Sequence, residues 1–147
     1  MKNRIVLVLL VLCSLVACTE DVLPPPAIDA TPEDTALNFF DGIYNKQNLD
    51  QALYLSSPRM TTLLQRYVVN QVVQRHVLNL SYDMNKVEIT LDTGGNKMRT
   101  QYSKNSKVNV FFTGYRQDKK IEDIRVASMV KVDGHWRVDS VSEANYH

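Results

Sequence analysis

Lys131-Val132-Asp133-Gly134-His135-Trp136-Arg137-Val138-Asp139-Ser140-Val141 sets alternating apolar and polar side chains on either side of an Asp-Gly pair. Glycine accepts the positive φ that a two-residue type I′ turn demands, and Asp enters that region more readily than most residues. The segment predicts a β-hairpin in which Trp136, Val138 and then Val141 return beside a long strand, Ile121 to Val132. Toward the N-terminus, beyond Gln117-Asp118-Lys119-Lys120, the residues Val108, Val110 and Phe112 share one strand face and Phe111 takes the other. Met98, Thr100 and Tyr102 could form one more strand. Val87, Ile89 and Leu91 form another, closed by the turn sequence Asp92-Thr93-Gly94-Gly95-Asn96. Four to five antiparallel strands thus follow one another along the chain.

The residues before them read as about three helices. Thr31-Pro32-Glu33-Asp34 supplies an N-cap, a proline at the first helical position and acids at the positive end of the helix dipole. Ala36, Leu37, Phe40, Ile43 and Tyr44 then recur at helical spacing, with Gly42 among them. Asn48 can cap a short helix from Leu49 to Leu55, and Ser57-Pro58 repeats the cap-and-proline start of a third helix running to about Asn70. From Gln71 to Met84 helix and strand signals compete. Helices first and a meander after them is the α+β order, with helices packed on one sheet face. The folded domain is placed at residues 32–147.

Residues 1–31 have a different composition. Met1-Lys2-Asn3-Arg4 is basic, and Ile5 to Val16 is a mostly apolar run of 12 residues. That is too short to cross a bilayer of ~30 Å as a helix and suits the core of an export signal. Leu15-Val16-Ala17-Cys18 resembles the lipobox of bacterial lipoproteins. The resemblance implies a signal peptide over 1–17, cleavage between Ala17 and Cys18, and a diacylglyceryl group with an N-acyl chain on Cys18 as the link to a membrane. It places the protein in the cell envelope: on the periplasmic face of the outer membrane, given Thr19 rather than Asp after the cysteine, if the cell has two membranes, and otherwise on the outer face of the cell membrane. Residues 18–31 then form a tether, in which Pro24-Pro25-Pro26 favours extended polyproline geometry.

The chain has 17 basic and 16 acidic residues, and removal of Lys2 and Arg4 leaves 15 against 16. No basic field marks a nucleic-acid partner. Both cysteines, Cys13 and Cys18, lie in the N-terminal segment, so cleavage and lipidation leave the domain without a thiol for a disulfide, a metal or a nucleophile.

Three helices followed by a sheet that ends on the hairpin of Lys131 to Val141 resemble the nuclear transport factor 2-like superfamily, and within it small lipoproteins of unknown function. The opening helix Ala36-Leu37-Asn38-Phe39-Phe40-Asp41-Gly42-Ile43-Tyr44 and the stretch Leu55-Ser56-Ser57-Pro58 share in the likeness, which spans roughly residues 32–146. It implies a curved, cone-like sheet whose open end can hold a ligand or an active site.

The histidines are His76, His135 and His147, and none stands in a His-x-His or His-x-x-x-His pair. His76 with Asp83 or Asp41 is the candidate general base and partner, set against an ordinary surface imidazole. Glu33 with Asp34 and Glu122 with Asp123 lack metal-loop spacing and read as a helix start and a solvated strand face, so neither metal nor cofactor is expected. Phe39, Phe40, Tyr44, Tyr67, Phe112 and Trp136 could line a cavity for an apolar ligand or simply fill the interior. Lys97, Arg99, Lys104 and Lys107 could touch an anionic surface or guard a strand edge. The leading expectation is a non-catalytic, lipid-anchored domain that binds an envelope protein or a small apolar ligand. Behind it stand a structural subunit of an envelope assembly, such as a secretion or pilus machine, and third a small enzyme.

Overall fold

The computed structural model describes residues 30–83, 86–92 and 104–144. Ala17 and Cys18, nearly all of the tether, Met84, Gly94-Gly95, Lys97, Arg99, the strand expected at Met98 to Tyr102, and His147 lie outside them. Among the described residues four helices precede four strands: α1 (Pro32–Tyr44), α2 (Leu49–Tyr54), α3 (Pro58–Leu64), α4 (Asn70–His76), β1 (Glu88–Leu91), β2 (Asn105–Arg116), β3 (Lys119–Val132) and β4 (His135–Glu143). The α+β order holds. The strands form one antiparallel meander in the order β1-β2-β3-β4.

Local chemistry starts the first three helices where expected. The Thr31 hydroxyl accepts from the Asp34 N–H while the Asp34 carboxylate reaches back to Thr31, a reciprocal cap that satisfies donors α1 would otherwise leave open. Asn48 caps α2 through the Gln51 N–H, and Ser57 caps α3 through the Met60 N–H. The third helix is shorter than its apolar pattern suggests. It closes at Leu64 with tight backbone bonds from Arg66 to Leu63 and from Tyr67 to Leu64. Tyr67, Val68 and Val69 are poor helix formers, and Val69 is extended (φ −118°, ψ 130°) before the chain turns into α4. The ambiguous segment is therefore a fourth helix, followed from Val77 by irregular chain.

The sheet face that carries Val108, Val110, Phe112, Ala127, Met129 and Val138, all buried, is covered chiefly by α1, with α3 on β4 and with α2 and α4 packed on α1. From α1 come Ala36, Phe39, Phe40 and Ile43, each fully buried. Phe111 and Tyr115 point to the other side of the sheet and are exposed. The pairing slips once, between Ser128 and Met129. Ser128 faces Ser140 and Met129 faces Val138, so Asp139 is an extra residue in β4. Such a bulge re-aims a side chain, and Asp139 is turned to the start of α3, accepting from the Ser57 hydroxyl at 2.7 Å. Arg59 meets its other oxygen at 3.3 Å. Beside it the chain between α2 and α3 joins the β4 edge: the Val138 N–H donates to Leu55 and the Ser57 N–H donates to Val138, both at 2.9 Å.

Candidate functional site

Between α1 and the sheet, where the aromatic residues could line a cavity or fill the interior, their rings fill it. Phe40 meets Phe112 edge to face at 5.0 Å, Tyr44 meets Phe112 at 5.3 Å, and Tyr44 meets Tyr82 at 5.7 Å. Phe39 closes on Phe40 from behind at 5.1 Å. Phe40, Tyr44 and Phe112 therefore pack on one another as core. Trp136 is half-buried at the hairpin with the Lys131 ammonium 5.1 Å from its ring centre, and Tyr67 is half-buried against the core in the helical half.

Polar groups enter this interior from one side. Arg125 is buried although charged, and its position in β3 puts it in phase with Ala127 and Met129 on the helix-facing side. It donates to the Leu78 and Asn79 carbonyls at 3.1 and 2.9 Å, to its neighbour Ile124 at 3.0 Å and to the Asp123 carboxylate at 2.7 Å. A guanidinium so placed fastens the irregular chain after α4 to the sheet. The Tyr44 hydroxyl donates to Leu80 on the same segment at 2.7 Å. The Tyr82 hydroxyl is buried without a hydrogen-bond partner among the described residues. Burial pushes both phenols well above the usual tyrosine range.

This seam corrects the reading of Glu122 and Asp123 as one solvated face. Glu122 is exposed and paired with Lys120, whereas Asp123 lies half-buried opposite Phe112 and holds Arg125. A charged residue at an inward-facing position of a long apolar strand was the signal that could have singled out Arg125. For Tyr82 it was Gly114, an isolated glycine inside a strand. A Cβ at Gly114 would stand 2.5 Å from the Tyr82 ring.

The three residues proposed for proton transfer lie apart in role. His76 is exposed and stacks on Tyr67, with ring centres 5.9 Å apart. Asp83 accepts the backbone N–H of Gln117 at 2.7 Å. Asp41 is bound by Asn45 at 2.9 Å and Lys46 at 3.1 Å. Burial opposes its charge, but these hydrogen bonds and the positive charges of Lys46 and Lys86 outweigh that cost and hold its carboxyl below the usual range. Among the described residues no hydrogen bond joins His76 to either carboxylate, and no group of three or more His, Cys, Asp or Glu converges on a metal position. Lys104 and Lys107 are exposed at the start of β2; Lys107 lies on the length that β1, paired only with Val110 to Thr113, does not cover.

Openings lie at the surface instead. A groove of about 640 Å³ runs between α1 and β1, with Leu37, Val87 and Ile89 as apolar lining and Asp41, Lys86 and Glu88 as charges. A second, of about 360 Å³, separates α3 from β4 and is lined by Met60, Leu63, Val141, Arg59, Arg66 and Asp139. A third, of about 460 Å³, lies between α2 and the α3–α4 corner, where Leu49, Leu53, Tyr67 and Val68 meet Asp50. None of the three is lined by Phe40, Tyr44, Phe112 or Trp136. No described helix is long and apolar enough to cross a membrane. No family model, curated protein or solved structure matches the chain.

Proposed function

We propose that this chain is a lipoprotein of the cell envelope, held to the membrane by lipid on Cys18, whose domain is non-catalytic and binds a protein partner at its surface. The anchor reading rests on the order of basic start, short apolar run, Ala17 and Cys18. The observation that carries the non-catalytic reading is the interlocked set Phe40, Tyr44, Phe112 and Tyr82. Rings at 5.0 to 5.7 Å centre to centre leave a substrate no place among them. Arg125, among the described residues the one charge buried beside them, donates chiefly to backbone carbonyls and its neighbour Asp123, which is structural work. We also infer a nuclear transport factor 2-like domain, supported by helices that precede and cover one face of an antiparallel meander.

The α1–β1 groove suits a partner segment better than a small molecule, because it is open, runs beside the sheet's outer strand and mixes apolar floor with both signs of charge. In-cell crosslinking from a photoreactive residue at Asn38, with Tyr115 on the opposite sheet face as control, tests the partner. A single discrete adduct from Asn38 alone is expected. Adducts of equal pattern from both positions, or turnover of a substrate that Tyr82→Phe abolishes without unfolding, would overturn the reading. The anchor is tested separately, by mass spectrometry of the N-terminus and by release of a Cys18→Ser variant from the envelope fraction.

A further inference from the structure

From Gln51 to Tyr82 the chain carries no Asp, Glu or Lys, while it carries Arg59, Arg66, Arg75 and His76. In a molecule whose charges otherwise nearly cancel, this segment forms most of α2, then α3, α4 and the corner between them, and the stacking of Tyr67 on His76 draws together the stretches that carry Arg66 and Arg75. Asp139 neutralises Arg59 from β4. Arg66 and Arg75 are exposed and have no ion-pair partner among the described residues; Arg66 lines the second groove with Arg59 and Asp139, and Asp50 lines the third with Val68. Between these arginines, at the tip of the corner, Val68 is 88% exposed and Val69 54% exposed. Tyr67 precedes them and stacks on His76.

We propose that the α3–α4 corner is a membrane-contact surface, with Val68 and Val69 entering the headgroup layer and Arg66 and Arg75 meeting the phosphates of anionic lipid. Val68 lines the third groove yet leaves most of its surface in water, and its neighbour Val69 is more than half exposed, so a soft interface can accept both. Basic residues beside them supply the attraction that brings such a tip to an anionic surface. Tyrosine, with an apolar ring and a polar end, suits the same depth. The inference goes beyond the anchor reading and leans on it only for nearness to the bilayer. A tether over residues 19–30 spans at most ~37 Å in polyproline form, comparable to the diameter of a domain this size, so any face can be brought to the lipid.

The test uses the full chain bearing Val68→Cys. Lipidation of Cys18 and loss of Cys13 leave the new thiol alone in the mature protein, where it takes an environment-sensitive fluorophore. Asp118→Cys, in the turn between β2 and β3, is the control. In vesicles of phosphatidylethanolamine with phosphatidylglycerol, the label at position 68 is expected to shift to the blue and to be quenched by nitroxide-bearing lipid, while the label at 118 stays as in water. Arg66→Glu combined with Arg75→Glu should lower the membrane-inserted fraction on the order of tenfold or more, as should vesicles of phosphatidylcholine alone. A position-68 label that remains in water while the protein sediments with the vesicles overturns the proposal, as does a shift that arises only when envelope proteins are added. Failure of the anchor is a different result, an unmodified N-terminus by mass spectrometry. In that case Val68→Cys is labelled in a Cys13→Ser, Cys18→Ser background, the same vesicles are titrated in excess, and the shift at position 68 again decides.

Discussion

Two hairpins of this sheet make the same two-residue turn in unequal ways. Asp133 and Gly134, between β3 and β4, have φ of 51° and 82°. Gln117 and Asp118, between β2 and β3, have φ of 52° and 61° with no glycine. The first turn is self-sufficient: Gly134 adopts its geometry without penalty, and nothing lies within 4 Å of where its side chain would be. The second forces two side-chain-bearing residues into the left-handed region, which is costly for L-residues. Its support comes from 34 residues upstream, where the Asp83 carboxylate accepts the Gln117 N–H, the Asp83 N–H donates to Tyr115, and the Tyr82 ring lies on Gly114. A turn that is poor by local propensity can thus be fixed by tertiary contact.

The sharpest way to break this comparison is Gly114→Ala. Its new methyl group collides with Tyr82, and a loss of about 3 kcal/mol is expected in urea unfolding. The same change should cost much less in a Tyr82→Ala background, which identifies the clash as the cause. Next comes Asp83→Ala, expected to cost about 1.5 kcal/mol by leaving the Gln117 N–H without its acceptor. Amide exchange should then quicken at Gln117 and not at Gly134. A third test runs the same swap in both directions. Gly134→Ala should destabilise by about 1 kcal/mol, while Asp118→Gly should stabilise by roughly 0.5 kcal/mol, since only the second relieves a strained φ.

The smallest effect at neutral pH belongs to Tyr82→Phe, because the hydroxyl it removes has no partner. Its signature is alkaline. Tyr44 and Tyr82 are held neutral by burial, whereas unfolded tyrosines ionise near pH ~10. Stability is therefore full below that pH and falls as pH rises above it. Tyr82→Phe should make the fall shallower, and Tyr44→Phe should do the same but lose about 1 kcal/mol at neutral pH with its bond to Leu80. Thermal unfolding between pH 7 and 11 separates the two.

The two turns also show what could be read from the chain itself. Asp133-Gly134, Thr31-Pro32, Asn48 and Ser57-Pro58 carry their meaning in neighbouring residues, and each starts or turns the element expected of it. Gln117-Asp118 names no turn type, because its stabilising carboxylate is supplied by the fold. Likewise the end of α3 at Leu64 and the helix at Asn70 to His76 depend on which of several weak preferences packing selects. The candidate site divides in the same way. Phe40, Tyr44 and Phe112 were visible as apolar residues in phase, but periodicity does not tell a lined cavity from a filled one. Arg125 and Tyr82 matter through partners 32 to 47 positions away, Leu78 and Asn79 for the one and Gly114 for the other, and no local pattern joins them.

The backbone bonds of Leu55 and Ser57 to Val138 carry one further consequence. They occupy the middle of the sheet's last strand, so a neighbouring copy finds that margin already taken. Strand-to-strand stacking that propagates needs two open margins on every unit. With one plugged, any pairing through the other closes on itself as a twofold couple and halts, which is a safeguard against fibre growth.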